Sequence, residues 1–279
     1  MPLSIDKAGS TAVLDGPWTA EDSAAFERAR PTRLVVGASP DLDFLKDLPP
    51  LRDLEVHRLP LRDISPVAWQ TELRSLSINA YFKVGVDFSK LPALETLHLD
   101  WGPGAETLVA ARGLEDLSIN RLSGTDLSAL RPLTRLRRLR LANSRSITSL
   151  DGIGAFRQVE AIRLLDLRSL VDLSAIGEVA KSLRSLEFNT CRRIGRLDAI
   201  ASLHALTRLL VNNCGNIESL APVAGIPLRT FLFYEATNIV DGRVDRLLEM
   251  ADLRDTAFAD RRHYTHTLGA IEAALAGRR

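Results

Sequence analysis

Apolar residues recur along this chain in one triplet, apolar-x-x-apolar-x-apolar, with polar-rich intervals between copies. The triplet occurs as Leu51/Leu54/Val56, Leu73/Leu76/Ile78, Leu94/Leu97/Leu99, Leu114/Leu117/Ile119, Leu136/Leu139/Leu141, Val159/Ile162/Leu164, Leu183/Leu186/Phe188, Leu206/Leu209/Val211 and Leu228/Phe231/Phe233. Degenerate copies flank these at Pro31/Leu34/Val36 and Leu253/Thr256/Phe258, and successive first positions lie 20 to 25 residues apart. A period of that length is the mark of stacked repeats. The last two apolar residues of each triplet are two apart, so on an extended strand they share one face and their neighbours share the other. The pattern predicts strands over residues 53–57, 75–79, 96–100, 116–120, 138–142, 161–165, 185–189, 208–212 and 230–234. The segments between them, such as "SLDGIGAFRQV" from Ser149 and "DLSAIGEVAKSL" from Asp172, have a three-residue apolar spacing and open on Asp or Ser. That suits a single 3₁₀ or short helical turn. Such a unit is too small to bury its own apolar side, and stacking its neighbours buries it.

An all-strand stack exposes its core at both ends, so the ends need covers. Residues 1–30 supply a strand in "STAVLDG" and a helix in "TAEDSAAFERAR", with Thr19 as N-cap and Asp22 closing an approximate capping box. Residues 31–260 carry the repeats, and residues 261–279 form a C-terminal capping helix with Leu268, Ile271 and Leu275 on its apolar face. The preceding "DGRVDRLLEMADL" also has helical apolar spacing.

Two neighbouring segments, "LRSLEFNTCRRI" and "LTRLLVNNCGNI", hold the only cysteines, Cys191 and Cys214. Both match Leu-x-x-Leu-x-Leu-x-x-(Asn or Cys)-x-x-Leu in full, and on these residues the chain resembles the leucine-rich repeat family. Its short intervals look most like bacterial internalin-type repeats. The resemblance implies an α/β fold: a right-handed leucine-rich repeat solenoid with a concave parallel β-sheet, convex 3₁₀ or short helical turns, and helical caps. Copies near residues 51, 73 and 94 depart from it, with Leu59, Tyr81 and Gly102 at the Asn/Cys position, which predicts irregular bends there.

Cys191 and Cys214 occupy that bend position, where a small, weakly polar side chain points inward and meets backbone groups left unpaired as the strand ends. Ser144 and Ala236 fall at the same spacing in neighbouring copies. The exchange argues for structural thiols and against a metal site, which needs about four N or S ligands. Adjacent parallel turns are about 5 Å apart, so a disulfide between the two stays within bridging range.

Thirty-six basic residues against thirty-five acidic ones leave a formal charge of +1 over 279 residues. That balance gives no long-range field for nucleic acid or an anionic membrane. The N-terminus has no basic stretch leading into an apolar run, and no segment approaches a membrane span. A cytoplasmic monomer is expected, and the wealth of Arg, Ala and Leu suits a GC-rich bacterial genome. No motif calls for a cofactor, and the pair His263 and His266 in "HYTH" has no third ligand nearby in sequence.

Candidate chemistry must then sit on the outward residues of the strands. Equivalent outward positions line up as columns about 4.8 Å apart. Arg121, Arg138, Arg140 and Arg163 predict a positive patch, beside His98, Asp100 and Trp101 from one strand, with Asn120 and Tyr234 further along the columns. Arg and Trp are enriched at binding hot spots, so the expectation is a non-enzymatic module that binds another protein, one with an acidic surface. A merely solvated face is the plain alternative. An immunity-like or regulatory inhibitor of one partner is a narrower version of the binding reading. A hydrolase using His98, Asp100 and Ser118 is a third, against which stand the open face and backbone amides committed to the sheet.

Overall fold

The computed structural model describes residues 2–278, apart from the side chains of residues 58–60, which include Leu59. The chain divides into two compact units at the Ile119/Asn120 junction.

The first unit opens on an antiparallel pair, β1 (Leu3–Ile5) and β2 (Thr11–Asp15). The helix α1 (Ala20–Ala29) follows, and then β3 (Arg33–Ala38), β4 (Asp53–Pro60), β5 (Ser75–Tyr81), β6 (Thr96–Asp100) and β7 (Asp116–Asn120). From β2 onward the strands lie in chain order in one parallel sheet. Thr19 caps α1 in a true capping box: its hydroxyl accepts from the Asp22 amide, and the Asp22 carboxylate accepts from the Thr19 amide at 2.9 Å. The same carboxylate accepts from the Leu3 amide, which ties β1 to the helix. The hairpin partner β1 carries no triplet, so nothing in the repeat pattern announced it.

The second unit contains β8 (Arg138–Ala142), β9 (Ala161–Leu165), β10 (Ser185–Asn189), β11 (Arg208–Asn212), β12 (Asn216–Ile217), β13 (Thr230–Leu232), β14 (Asn238–Ile239), β15 (Asp255–Ala257) and the helix α2 (Leu268–Ala276). Strands β8, β9, β10, β11, β13 and β15 form a parallel sheet in that order, and β12 and β14 make a separate two-stranded pair. Three sequence expectations need adjusting here. The ninth strand ends at Leu232, not 234. The segment "DGRVDRLLEMADL" forms only a 3₁₀ turn, Val244–Glu249, before the chain enters β15. And α2, capped by Thr267, buries Ile271 and Leu275, while Leu268 is only half-buried.

In both units the core is the stack of triplet anchors; Leu54, Leu76, Leu97, Leu117, Leu136, Leu164, Leu186 and Leu209 have no exposed surface. The return segments are 3₁₀ turns for a local reason. An Asp or Ser accepts a hydrogen bond from the amide two residues on, as Asp63 does from Ser65, Asp126 from Ser128, Asp172 from Ser174 and Ser219 from Ala221. That contact sets the tight turn and satisfies an amide that a longer helix would leave orphaned.

The strand ends differ between the units. In the second, the residue two after the last anchor is left-handed in six successive copies: Arg121, Asn143, Asp166, Thr190, Asn213 and Glu235, with φ between 52° and 61°. Its amide donates to the next copy, for example Asn143 N to Leu165 O at 2.9 Å and Thr190 N to Asn212 O at 2.9 Å. Asn and Asp tolerate this region, whereas Thr and Arg are costlier there, and the regular ladder holds them in it. In the first unit, at the copies of β4, β5 and β6, no residue of this kind occurs among the described residues. Instead β4 and β5 run on to Pro60 and Tyr81 with a register shift between His57 and Pro60, the irregular bends anticipated for Leu59 and Tyr81, whereas β6 ends at Asp100, before Gly102.

The residue after the left-handed one turns inward. Ser144, Cys191 and Cys214 are buried there, and their side chains meet backbone carbonyls: Cys191 Sγ reaches Leu164 O at 3.4 Å, and Cys214 Sγ reaches Asn212 O at 3.2 Å and Phe188 O at 3.6 Å. Ala236 does not fill this slot. It is exposed, and Thr237 takes its place. The Thr237 hydroxyl donates to Val211 O at 2.7 Å and accepts from the Cys214 amide at 3.1 Å. A methyl at 236 could make neither bond, so the chain advances one residue to bring a hydroxyl inward.

Candidate functional site

Each unit presents one strand face that the triplet anchors do not use. In the first unit, the residues between the last two anchors are Val35, Glu55, Ser77 and His98, paired in register across β3, β4, β5 and β6. The early part of this face is a charge-paired network. Arg33 bonds Glu55 and lies 3.8 Å from Asp53, His57 Nε2 lies 3.0 Å from Glu55, and Arg74 bonds Glu95 at 2.8 Å. Burial raises the Asp53 carboxyl above its ordinary range, with Arg33 pulling the other way. His98 is exposed, Asp100 is half-buried at the end of β6, and Trp101 is half-buried just beyond it. The ring of Phe82 lies close over Gly102, where a side chain would crowd it, and Tyr81 stands 73% exposed. His98 and Asp100 on β6, with Trp101 just past it, thus lie on the strand next to β5, which ends at Tyr81.

In the second unit, the registers place Arg140 beside Arg163, Arg163 beside Glu187, Glu187 beside Leu210, and Leu210 beside Leu232. A parallel column runs Arg138, Ala161, Ser185, Arg208 and Thr230, and a third runs Ala142, Leu165, Asn189 and Asn212. Arg138, Arg140 and Arg163 therefore lie on adjacent strands. The Arg163 guanidinium is held by Glu187 at 2.7 Å, so part of the positive patch is balanced from within. Arg121 sits in the left-handed bend past β7, with an exposed side chain, and Asn120 receives the amide of Asn143 at 2.7 Å. Tyr234 follows β13 as a half-buried residue.

Sequence reasoning underweighted the apolar part of this face. Leu165, Leu210 and Leu232 all point away from the core, and Leu210 is packed to 9% exposure by its neighbours. Asn212, in the next column, is 7% exposed, and its amide oxygen has no hydrogen-bond partner. The signal was present in the two consecutive leucines of "RLLVN", where one leucine must face outward.

Other candidates fall out of the face. Cys191 and Cys214 are free and buried, and burial pushes their thiols up to about 11 and about 12. Of "HYTH", His263 Nε2 lies 3.0 Å from Ile239 O and the Tyr264 hydroxyl accepts from the Ile239 amide, so both fasten the chain onto β14. Among the described residues no group of three or more His, Cys, Asp or Glu is placed to hold a metal ion. No helix among them is long and apolar enough to cross a membrane.

The parallel sheet, the 3₁₀ returns and the inward bend residues define a leucine-rich repeat fold. An internalin of Listeria monocytogenes superposes with a TM-score of 0.67 at 19% identity, covering 89% of this chain and 73% of its own. A leucine-rich repeat protein of Leptospira interrogans matches with a TM-score of 0.49 at 13% identity over 88% of this chain and 75% of its own. A further Listeria internalin domain, described as including a cysteine ladder, matches with a TM-score of 0.47 at 14% identity over 85% of this chain and 52% of its own. The first of these carries the fold assignment. No protein-family model and no curated protein matches the sequence.

Proposed function

We propose that this chain is a non-enzymatic protein-binding module that uses the open sheet face of the second unit. The observation that carries the reading is the patch of outward Leu165, Leu210 and Leu232 beside the guanidinium groups of Arg138, Arg140 and Arg163. An apolar centre with arginines at its edge is the composition of an interface core and rim. Guanidinium forks select a partner with carboxylates at matching positions, because they hold a carboxylate in two parallel hydrogen bonds. Asn120 and Tyr234 belong to the same proposed surface, while His98, Asp100 and Trp101 make a separate candidate contact on the first unit. Catalysis by His98, Asp100 and Ser118 has little to support it, since the strand amides there pair in the sheet and leave no preorganised oxyanion donors. A cytoplasmic setting belongs to the same proposal, supported by two thiols that form no bridge. An inhibitor of a single partner is the narrower form of this function.

The test is capture of the partner on immobilised protein, followed by titration of the identified partner. Arg140→Glu with Leu232→Asp should weaken the complex at least about tenfold, since a lost buried contact and a reversed charge each cost on the order of 1–3 kcal/mol. The melting profile should stay unchanged. Arg196→Glu, on the opposite side and already held by Asp198 and Glu218, should leave binding unaltered. A complex weakened by Arg196→Glu and indifferent to the face variant would refute the proposal.

A further inference from the structure

The copies of β5 and β6 lack the Asn or Cys of the regular bend and carry Tyr81 and Gly102 in its place. At that departure the first unit opens a cavity of about 410 Å³, lined by Leu61, Arg62, Tyr81, Phe82 and Lys83. Its walls follow from the backbone. Because β5 stays extended through Tyr81 instead of bending, strand alternation buries Ala80 and turns Tyr81 outward. Leu61, 2% exposed, is the buried apolar member of the lining. Gly102 makes room for the Phe82 ring: a Cβ there would come within 3.2 Å of Cε2 and 3.3 Å of Cζ. Its φ is not positive, so the ring and not the backbone calls for a glycine.

Tyr81 is the most exposed of the large apolar side chains among the described residues, at 73%. A ring left largely in water adds little to folding, since the stabilisation scales with the apolar area removed from water. A repeat that abandons its pattern to present such a ring does so at the kind of place where function overrides local rules. Two cations stand beside it. The Lys83 amide donates to the Arg62 carbonyl at 3.0 Å, which sets these two residues side by side, and both side chains are exposed. Asp63, the next residue along the chain, is engaged elsewhere: its carboxylate accepts from the Ser65 amide at 2.7 Å.

We propose that this cavity binds a carboxylate carried on an aromatic ring, either a free aromatic acid or the C-terminal aromatic residue of a peptide. The ligand ring packs against Phe82 and Tyr81 over Leu61, because aromatic rings favour offset or edge contacts with one another. Its carboxylate lies between the Arg62 fork, which holds two oxygens at once, and the Lys83 ammonium, which acts as a point charge. The volume falls within the range of about 300–1,000 Å³ typical of small-molecule sites. The site lies wholly in the first unit and is independent of the partner surface proposed above.

The experiment is calorimetric titration of the full chain with phenylacetate and, in parallel, acetyl-glycyl-phenylalanine at low ionic strength. Saturable binding at a single site is expected, weakening as salt is raised. Acetate, which lacks the ring, and benzyl alcohol, which lacks the charge, should each bind at least about tenfold more weakly. Arg62→Glu with Lys83→Glu should reduce affinity by about tenfold or more, because each reversal turns attraction into repulsion. Tyr81→Ala removes one wall at an exposed position and should also weaken binding; it serves if the double reversal does not fold. Gly102→Ala should weaken it by pushing the Phe82 ring out of place. Lys90→Glu, on the same unit and outside the cavity, should change nothing. Tighter binding of the peptide than of phenylacetate assigns a protein C-terminus, and equal or weaker binding assigns the free acid. No saturation with either ligand would overturn the proposal. So would benzyl alcohol binding as tightly as phenylacetate, or a loss on Lys90→Glu equal to that of the cavity variants.

Discussion

The bend residue Thr237 offers a sharp test of how the repeats are joined. Its hydroxyl fills two roles at once, donating to Val211 O at 2.7 Å and accepting from the Cys214 amide at 3.1 Å, in a site 2% exposed. Thr237→Val keeps the shape and removes both bonds. Each buried backbone group left unpaired costs about 1–3 kcal/mol, so the substitution should destabilise the second unit by about 2–6 kcal/mol. Thr237→Ser keeps the hydroxyl and loses one methyl, a cost of about 1 kcal/mol. The neighbouring Ala236→Ser, on an exposed side chain, should shift stability by no more than about 0.5 kcal/mol. Urea denaturation followed by far-ultraviolet circular dichroism gives the global values. Native-state hydrogen exchange of the Cys214 amide gives the local one, which matters because repeat arrays depart from two-state unfolding. All three tryptophans lie in the first unit, so their fluorescence would miss the effect. If Thr237→Val proves as stable as Thr237→Ser, and the Cys214 amide keeps its protection, the hydroxyl is not holding the bend and the reasoning fails.

Leu139→Ala removes a 1% exposed anchor from β8 and should cost about 2–5 kcal/mol, read as a lowered urea midpoint. The buried thiols predict an alkaline weakness. Cys191 and Cys214 hold their protons up to about 11 and about 12 in the folded chain, whereas an unfolded thiol loses its proton near about 8.5. Stability from this source is therefore complete below about pH 8.5 and declines as pH rises toward the folded values, since there the unfolded chain binds fewer protons. Cys191→Ser with Cys214→Ser should flatten that decline in denaturation curves taken from pH 8 to pH 11. Both thiols should also resist alkylation in the native protein at pH 8 and react at once in urea, and rapid native labelling would contradict the burial.

The strands were legible because their cause is local and repeated. Leu139 and Leu141, or Leu186 and Phe188, are two apart and apolar in each of the nine clear copies, and the period admits one arrangement in which all of them are buried. The 3₁₀ returns were legible for the same reason, since Asp172 and Asp126 announce them two residues ahead. What escaped the pattern was set by contacts between copies. Ala236 and Thr237 both suit the spacing of the bend within about one residue, and only the unpaired Val211 carbonyl and Cys214 amide of the preceding copy decide between them. Likewise β1 exists because β2 offers an edge and Asp22 accepts its first amide, neither of which belongs to the repeat.

The candidate surfaces escaped for a related reason. A count of charged outward residues puts Arg140 and Arg163 together, but whether they act as free cations depends on Glu187 in the following copy, which holds Arg163. The useful contrast is therefore between arginines that have a carboxylate one repeat away and those that do not. On the strand face the column alternates from Arg140 and Arg163 to Glu187 and then to Leu210 and Leu232, so charge is offset at one end and apolar area is offered at the other. In a stacked fold a side chain's electrostatic partner can lie one period away in sequence, as Glu160 does for Arg137 and Glu187 for Arg163, so the charge of a surface position is decided by the neighbouring copy as well as its own.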